Sequence, residues 1–191
     1  MGSGLGLTTL SPFLLADGSG PPRQPTTVRL GADEAAFTVH FECADDDAWG
    51  TYARRDDPLY MEECVEVFIS AGVEDPAVYY EFEVSPHAVL ADARVHNPTG
   101  KREDLSADFE WDCPGVTWSA EIDGTARLWR AELRIPWLGL DTSSGSLWRV
   151  NFLRIDRPRD GRSAEFSCWS PTLTSPPNFH VPARFGALRR A

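Results

Sequence analysis

Carboxylate side chains alternate with apolar ones in two neighbouring segments of the sequence. The first segment carries Tyr60, Glu62 and Glu66 at even positions, and the second carries Glu81 and Glu83 at odd positions. Residues two apart lie on the same face of a β-strand, so a hairpin of these segments would gather the carboxylates on one face. Such a cluster could supply the acid and base of a glycoside hydrolase. It could equally supply oxygen ligands for calcium, or acceptors for sugar hydroxyls beside an aromatic ring.

Glu66 is the carboxylate for which a solubilising role is the weakest explanation. An acidic exposed face often serves only to keep a strand soluble, and we favour that explanation for Glu62 and Glu81. Glu66 instead lies mid-strand between Val65 and Val67, where solvation alone would favour threonine. A ligand-binding role for Glu66 is therefore as well supported as a structural one.

A second group of candidate residues lies near the C-terminus, in the segment SPPNFHVPARFG. Prolines on both sides stiffen the loop that carries Asn178 and Phe179, and an exposed aromatic ring on a stiff loop loses little entropy on binding. The alternative is a latch in which Phe179 plugs the end of the core. Upstream, a strand end carries four residues that suit the recognition of sugar diols, Asn151, Arg154, Asp156 and Arg157, although a surface Arg–Asp pair is more often only solvated.

Metal ligands are sparse in the sequence. The acidic turn with Asp45, Asp46 and Asp47 offers oxygen ligands for a structural calcium ion, or is only a solvated turn. No C-x-x-C motif or paired histidine spacing indicates zinc, and no organic cofactor is indicated. We expect reduced, mostly buried thiols at the four cysteines, Cys43, Cys64, Cys113 and Cys168.

Short strands are the elements that would position these residues. The chain of 191 residues contains 15 glycines and 15 prolines, which favours many turns. Alternating segments occur at 28–32, 37–43, 60–70, 78–85, 88–95, 116–122, 128–135, 147–156, 164–170 and 184–188. This pattern predicts an all-β fold, an antiparallel β-sandwich or jelly roll of about ten strands. Its aliphatic faces would pack between the two sheets.

One domain is expected from the length of the chain. Residues 1–25 are rich in Gly, Ser and Pro, which predicts a flexible or loosely docked lead-in, and residues 26–191 would form the sandwich. The net charge of −11 disfavours nucleic acid and membrane partners, because phosphates and anionic lipids would be repelled. No signal peptide is visible at the N-terminus, which predicts a cytoplasmic location by default.

The order of motifs resembles carbohydrate-binding module family 9 over residues 26–189. The motifs are an acidic turn with Trp49, then YMEECVEVFIS, YYEFEVS, WRAELRIPW, WRVNF, WSPT and NFHVPARFGAL. The resemblance implies a β-sandwich, commonly with bound calcium, that binds mono-, di- or oligosaccharides between two aromatic rings, often at the reducing ends of glucans or xylans. It also implies an extracellular or periplasmic location. By resemblance the rings are Tyr60 and Phe179, and the family's carboxylate is Glu66.

The sequence also departs from this family. In family members the two aromatic rings that enclose the sugar are usually tryptophan. Tyrosine and phenylalanine offer less stacking area, which predicts weak affinity for this chain. The positions at which the family has an arginine and an asparagine on the neighbouring strand are Glu83 and Ser85 here. The hydrogen-bonding surface beneath the sugar is therefore more acidic. Arg154 could replace the missing donor if its strand contains a bulge. The ligand could therefore differ from glucose or cellobiose, or sugar binding could have given way to a structural or protein-binding role.

Two further functions are disfavoured. Glu66 and Glu83 could form a glycosidase pair, but the family is associated with glycoside hydrolases mainly by fusion to them, so we expect no catalysis by this chain. Related sandwiches bind haem, for which Met61 and Lys101 are conceivable ligands. Met61, however, occupies a position in the alternating pattern that would face the core, and Lys101 lies in a predicted loop.

Overall fold

The chain folds into two antiparallel sheets. The computed structural model describes residues 7–140 and 146–189. Within them, the strands are β1 (Thr8–Thr9), β2 (Leu14–Leu15), β3 (Thr26–Ala32), β4 (Ala36–Ala44), β5 (Cys64–Ala71), β6 (Val78–Val84), β7 (Leu90–His96), β8 (Ser106–Asp108), β9 (Thr117–Asp123), β10 (Leu128–Pro136), β11 (Leu147–Asp156), β12 (Glu165–Cys168) and β13 (Gly186–Arg189). Three-residue 3₁₀ turns span Leu59–Met61, Arg102–Asp104, Trp137–Gly139 and Pro182–Arg184. The described residues contain no helix with the length and apolar character needed to span a bilayer.

The smaller sheet has the strand order β1-β3-β4-β10-β9. The larger sheet runs β2-β12-β11-β5-β6-β7-β8, and β13 also pairs with β11. Strand β11 reaches both neighbours on one side because its first half pairs with β13 and its second half with β12. The predicted antiparallel β-sandwich is confirmed, and the predicted strands agree closely with the observed ones.

The main core lies between the sheets and follows the two-residue period of the strands. From the smaller sheet, β4 contributes Phe37, Val39 and Phe41, and from the larger sheet β5 contributes Val65 and Val67. All of these side chains are buried. Burying a side chain of this size stabilises the fold by about 1.5–3 kcal/mol, so the aliphatic parity of the strands determines which face turns inward.

The outer face of the larger sheet is also largely covered, which the sequence did not predict. A second apolar cluster there joins Phe68 of β5 and Tyr79 of β6 to Phe179 and Phe185 from the C-terminal segment. Leu59, from the turn before β5, belongs to the same cluster. Consequently β5 is buried along nearly its whole length, and the acidic face of the hairpin lies beneath other chain segments.

Two regions differ from the expected structure. The lead-in is not loose at residues 8–16, because β1 pairs with β3, β2 pairs with β12, and Phe13 is buried in the main core. Residues 1–6 of the lead-in lie outside the described residues. The strand predicted from Tyr60 begins only at Cys64, because the preceding residues form a 3₁₀ turn after Pro58. Met61, expected to face the core, is 56% exposed.

Candidate functional site

A cavity of about 450 Å³ opens on the outer face of the larger sheet. This volume lies within the range of about 300–1,000 Å³ that is typical of small-molecule sites. Its lining comprises Tyr60, Met61, Glu66, Glu81, Arg102, Leu105, Ala107, Phe109, Ile155, Arg157, Phe166, Pro177, Asn178, Phe179 and His180. Four of the six residues predicted to bind a ligand are in this set: Tyr60, Glu66, Asn178 and Phe179.

Tyr60 forms an exposed wall of the cavity. It lies in the 3₁₀ turn Leu59–Met61, which is anchored by the buried side chain of Leu59. Arg157 Nη2 donates a hydrogen bond of 3.1 Å to the Tyr60 carbonyl oxygen. The Tyr60 side chain is 45% exposed, so its ring is available to a ligand without loss of core packing.

Phe179 is both a wall of the cavity and a part of the second apolar cluster. Its ring packs edge-on against Phe166 with the centroids 5.7 Å apart, and only 6% of the residue is exposed. Beside it, Asn178 Oδ1 accepts a hydrogen bond from the backbone of His180. His180 is itself stacked on Phe68 and bonded through Nδ1 to the Tyr79 hydroxyl at 2.8 Å. Phe179 therefore packs into the apolar cluster, as expected for a latch, and it also lines the cavity.

The floor of the cavity is a cluster of carboxyl groups on β5 and β6. Glu66 pairs directly with Glu83 across the two strands, and Glu81 lies two residues along the same face of β6. All three residues are at least 95% buried, with exposures of 2% for Glu66, 1% for Glu83 and 5% for Glu81. Glu66 and Glu81 line the cavity. Glu83 lies behind them as a supporting residue, since it does not line the cavity.

The environment of this floor opposes ionisation. Burial raises the pKa of Glu66 well above its usual range, and the neighbouring Glu81 carboxylate raises it further. Burial also raises the pKa of Glu83, followed by the charges of Glu66 and Glu81. Burial lowers the pKa of His180 at the cavity wall. The surroundings of Glu66 and Glu83 thus favour protonated, hydrogen-bond-donating carboxyl groups unless a cation is present.

Arg154, predicted as a donor in the slot, lies on the opposite face of the sheet. The β5–β11 register is continuous and pairs Arg154 with Val65, so no bulge turns the side chain outward. Its guanidinium is buried between the sheets, where Nη2 donates to Asp45 Oδ2 at 2.8 Å and Nη1 donates to the Ala44 carbonyl oxygen at 2.8 Å. Arg154 is therefore a structural ion-pair residue.

Of the three predicted calcium ligands, only Asp45 lies in a carboxylate cluster. Asp45, Glu63 and Asp156 are buried and offer oxygens within 4.8 Å of one another. Asp156 Oδ1 has no hydrogen-bond partner among the described residues. Asp46 instead pairs with an arginine, Arg127, at 2.7 Å, and Asp47 pairs with Arg159.

The buried Asp45 cluster has the chemistry of a hard-cation site. Burial, followed by the charge of Asp45, raises the pKa of Glu63 to about 8, although Glu63 accepts backbone hydrogen bonds from Trp49 and Arg157. Arg154 binds one oxygen of Asp45. The unpartnered oxygen of Asp156 and the all-oxygen donor set fit calcium.

A second carboxylate cluster already contains its cation. The Asp56, Asp92 and Asp112 side chains are within 4.8 Å of one another. Arg55 lies among them, with Nη2 at 2.6 Å from Asp92 Oδ1 and Nε at 2.6 Å from Asp112 Oδ1. Asp92 also accepts a hydrogen bond from the Cys113 backbone. The guanidinium thus takes the position that a metal ion would need.

Among the wall residues that sequence reasoning missed are Arg102, Phe109 and Phe166, whereas Arg157 is one of the predicted candidates for diol recognition. Arg102 and Phe109 lie in a polar loop whose position no periodicity indicates. Arg157 and Phe166 flank another loop, and the Arg157 guanidinium lies 5.3 Å from the centre of the Phe166 ring. The only available signal for the first pair was an arginine and an aromatic residue within a loop too long to be a simple turn.

Comparison with known proteins identifies the family and the fold. The profile of carbohydrate-binding family 9 matches residues 22–190. A curated relative from Arthroderma benhamiae, named "Extracellular protein", is 34% identical over 143 residues, which are 70% of this chain and 64% of the relative. The match therefore spans less than two thirds of that relative's length.

Solved structures share the fold at low sequence identity. The crystal structure of a Bacteroides uniformis protein has a TM-score of 0.77 and 19% identity, covering 97% of this chain and 87% of that one. A family 9 carbohydrate-binding module from Caldicellulosiruptor kristjanssonii in complex with glucose has a TM-score of 0.61 and 13% identity, covering 98% and 84%. A family 9 carbohydrate-binding module from the same organism in complex with cellotriose has a TM-score of 0.61 and 13% identity, covering 97% of this chain and 82% of that one. Because the family profile matches most of the chain, this protein belongs to carbohydrate-binding family 9.

Proposed function

We propose that this protein binds a saccharide, without cleaving it, in the cavity between Tyr60 and Phe179. The observation that carries the proposal is the convergence of the two rings and Glu66 in one cavity. Tyr60 and Glu66 come from a turn and the strand that follows it, and Phe179 comes from a loop that is distant in sequence. The related module that binds glucose and cellotriose supports a glucan-type ligand.

The walls and floor suit the two surfaces of a sugar ring. An aromatic ring covers the apolar C–H face of a sugar, and a carboxyl group pairs with its hydroxyls. Tyr60 is exposed and Phe179 is almost buried, so we infer that the ligand stacks mainly on Tyr60 and contacts Phe179 at its edge. This asymmetry supports weaker binding than a slot with two fully exposed rings.

Calorimetric titration with cellobiose, cellotriose and the reduced-end alditol of cellobiose tests the proposal. Heat with the two sugars and none with the alditol would support a slot that recognises reducing ends. Tyr60→Ala should abolish binding with little change in stability, because the side chain is exposed. Ile122→Ala is the matched control, since Ile122 is 38% exposed on β9 of the other sheet. Equal affinity of both variants would place the site elsewhere.

The arrangement of the carboxyl groups supports binding rather than hydrolysis. A glycosidase needs one ionised and one protonated carboxyl group flanking the scissile bond. Here Glu66 and Glu83 are both buried with raised pKa values, and Glu83 does not line the cavity. Release of reducing sugar from a glucan or xylan, with loss of that activity in Glu66→Gln, would overturn this assignment.

We also propose a structural calcium ion at Asp45, Glu63 and Asp156. The unpartnered buried oxygen of Asp156 supports this placement. Calcium should raise the melting temperature of the wild-type protein and should not raise that of Asp156→Asn. Asp47→Asn is the control, because Asp47 pairs with Arg159 on the surface and should keep the full calcium effect. An equal response of both variants would argue against these ligands.

A further inference from the structure

We propose that the preferred saccharide carries a free amino group, held as an ammonium ion by Glu66 and Glu81 on the cavity floor. This inference rests on the proposed function, namely that the cavity binds a saccharide. It adds the chemical class of the ligand, which is an amino sugar rather than a neutral one.

The first argument is that the floor carboxyl groups lack partners. Glu66 is 2% exposed, and among the described residues its only side-chain donor is the Cys64 thiol at a sulfur–oxygen distance of 3.6 Å. A thiol is a weak donor. Neither carboxylate oxygen of Glu83 has a hydrogen-bond partner in the described part of the chain. Buried polar groups normally have partners, so Glu66, which lines the cavity, lacks a strong donor that a ligand could provide.

The second argument is that the cations near the cavity do not reach the floor. Arg157 is held by the Tyr60 carbonyl oxygen and by the Phe166 ring. Arg102 lies exposed in its 3₁₀ turn. Across residues 7–140 and 146–189, neither arginine forms an ion pair with Glu66 or Glu81 within 4.0 Å. Among the described residues, therefore, neither of these arginines offsets a charge on Glu66 or Glu81.

The third argument concerns which ligand group satisfies such a floor. An ammonium ion is a compact charge with three donors and no acceptor, so it can bridge Glu66 and Glu81 without adding a lone pair. A uronic acid would bring a fourth carboxylate toward three others. The wall also favours a cation, because the face of the exposed Tyr60 ring is electron-rich. Burial raises the pKa of Glu66, and an ammonium ion would shift it back down, so binding should release protons.

Three β-1,4-linked trisaccharides that differ only at carbon 2 provide the test. Cellotriose has a hydroxyl there, the glucosamine trimer an amine, and the N-acetylglucosamine trimer a neutral amide. The titrations are run on the acidic side of neutrality, where the amine of the glucosamine trimer is protonated. We expect the glucosamine trimer to bind at least tenfold more tightly than either neutral trimer, about 1.4 kcal/mol.

Variants of the floor then identify the residues responsible. Glu66→Gln and Glu81→Gln keep the side-chain shape and should each reduce the preference for the amine to less than threefold. Glu121→Gln, an exposed residue of β9, makes the same change in net charge and should leave the preference intact. If Glu66→Gln fails to fold, Glu81→Gln and the wild-type comparison still decide the matter.

The outcomes separate this inference from the proposed function. Equal or weaker binding of the glucosamine trimer, with clear binding of cellotriose, would overturn the inference and leave saccharide binding intact. An unchanged preference in both floor variants would overturn the assignment to Glu66 and Glu81. Absence of binding to all three trimers would count against the inference and the proposed function together.

Discussion

Replacing Glu83 by glutamine should stabilise the empty protein at neutral pH, although most substitutions of buried residues destabilise. Glu83 is 1% exposed, lies directly opposite Glu66, and has no hydrogen-bond partner for either oxygen among the described residues. Burial and the charges of Glu66 and Glu81 raise its pKa. The folded protein therefore retains a proton that the unfolded chain releases above pH 4.5, its reference pKa.

The sign and upper limit of the effect follow from proton linkage. Since the folded state binds the extra proton, Glu83 lowers the free energy of unfolding as the pH rises above 4.5. Each pH unit costs about 1.4 kcal/mol, so the loss at pH 7 is at most about 3.5 kcal/mol. The amide of glutamine cannot ionise and can donate to the Glu66 carboxylate. We expect a net gain of about 1–2 kcal/mol at pH 7, or about 2–8 °C in melting temperature.

Thermal and urea unfolding of wild type, Glu83→Gln and Glu121→Gln at pH 4.5, 7 and 8.5 measures this gain. Glu121 is exposed, so its variant reports the effect of one charge on a protein with net charge −11. The gain of Glu83→Gln over this control should be near zero at pH 4.5 and grow with pH. A gain that is absent at pH 7, or equal at all three pH values, would refute the electrostatic reasoning.

Four further substitutions at three positions test how the site and the sheets around it are supported, each by urea unfolding. Phe179→Ala should cost about 3 kcal/mol as well as sugar affinity, because the ring is buried, whereas Phe179→Leu should lose affinity at a cost below about 1.5 kcal/mol. Asp92→Ala should cost about 1–3 kcal/mol, because it leaves the buried Cys113 N–H without its acceptor and removes one of the two close partners of Arg55; unchanged stability would contradict this structural role. Gly186→Ala should cost about 1–3 kcal/mol, since the added carbon would lie 2.1 Å from Trp169; unchanged stability would show that the Trp169 ring moves freely.

The fold could be predicted because strand periodicity is a local property. Segments such as β4 alternate a buried face with a partly exposed one along their length, and the sequence shows this directly. The strands that were missed, β1, β2 and β8, are two or three residues long. Such lengths show no period, and their pairing depends on neighbours distant in sequence. The 3₁₀ turn at Leu59–Met61 was missed because its letters continue the alternation of β5.

The site was predicted in part, and the errors have physical causes. Tyr60, Glu66 and Phe179 were identified from the motif order of the family, and they do line one cavity. The prediction for Arg154 was wrong because it assumed a bulge in β11. The register with β5 is continuous, so the side chain turns toward Asp45. The covering of the sheet's outer face could not be predicted, because no sequence period places a loop over a strand.

One electrostatic argument links stability to ligand choice in this protein. If the floor is destabilising because its carboxyl groups lack a cation, an ammonium-bearing ligand should relieve the same penalty that Glu83→Gln removes. A bound ligand stabilises by an amount set by its concentration relative to its dissociation constant. Saturation with the glucosamine trimer should therefore narrow the difference in melting temperature between wild type and Glu83→Gln.

The neutral trimer supplies the control for this linkage. Cellotriose adds no charge, so it should raise both melting temperatures and leave their difference unchanged. A difference that narrows equally with both trimers would show that closure of the cavity, rather than charge, offsets the cost of Glu83. A difference that narrows only with the amine would mean that the acidic floor, costly in the empty protein, is what selects the ligand.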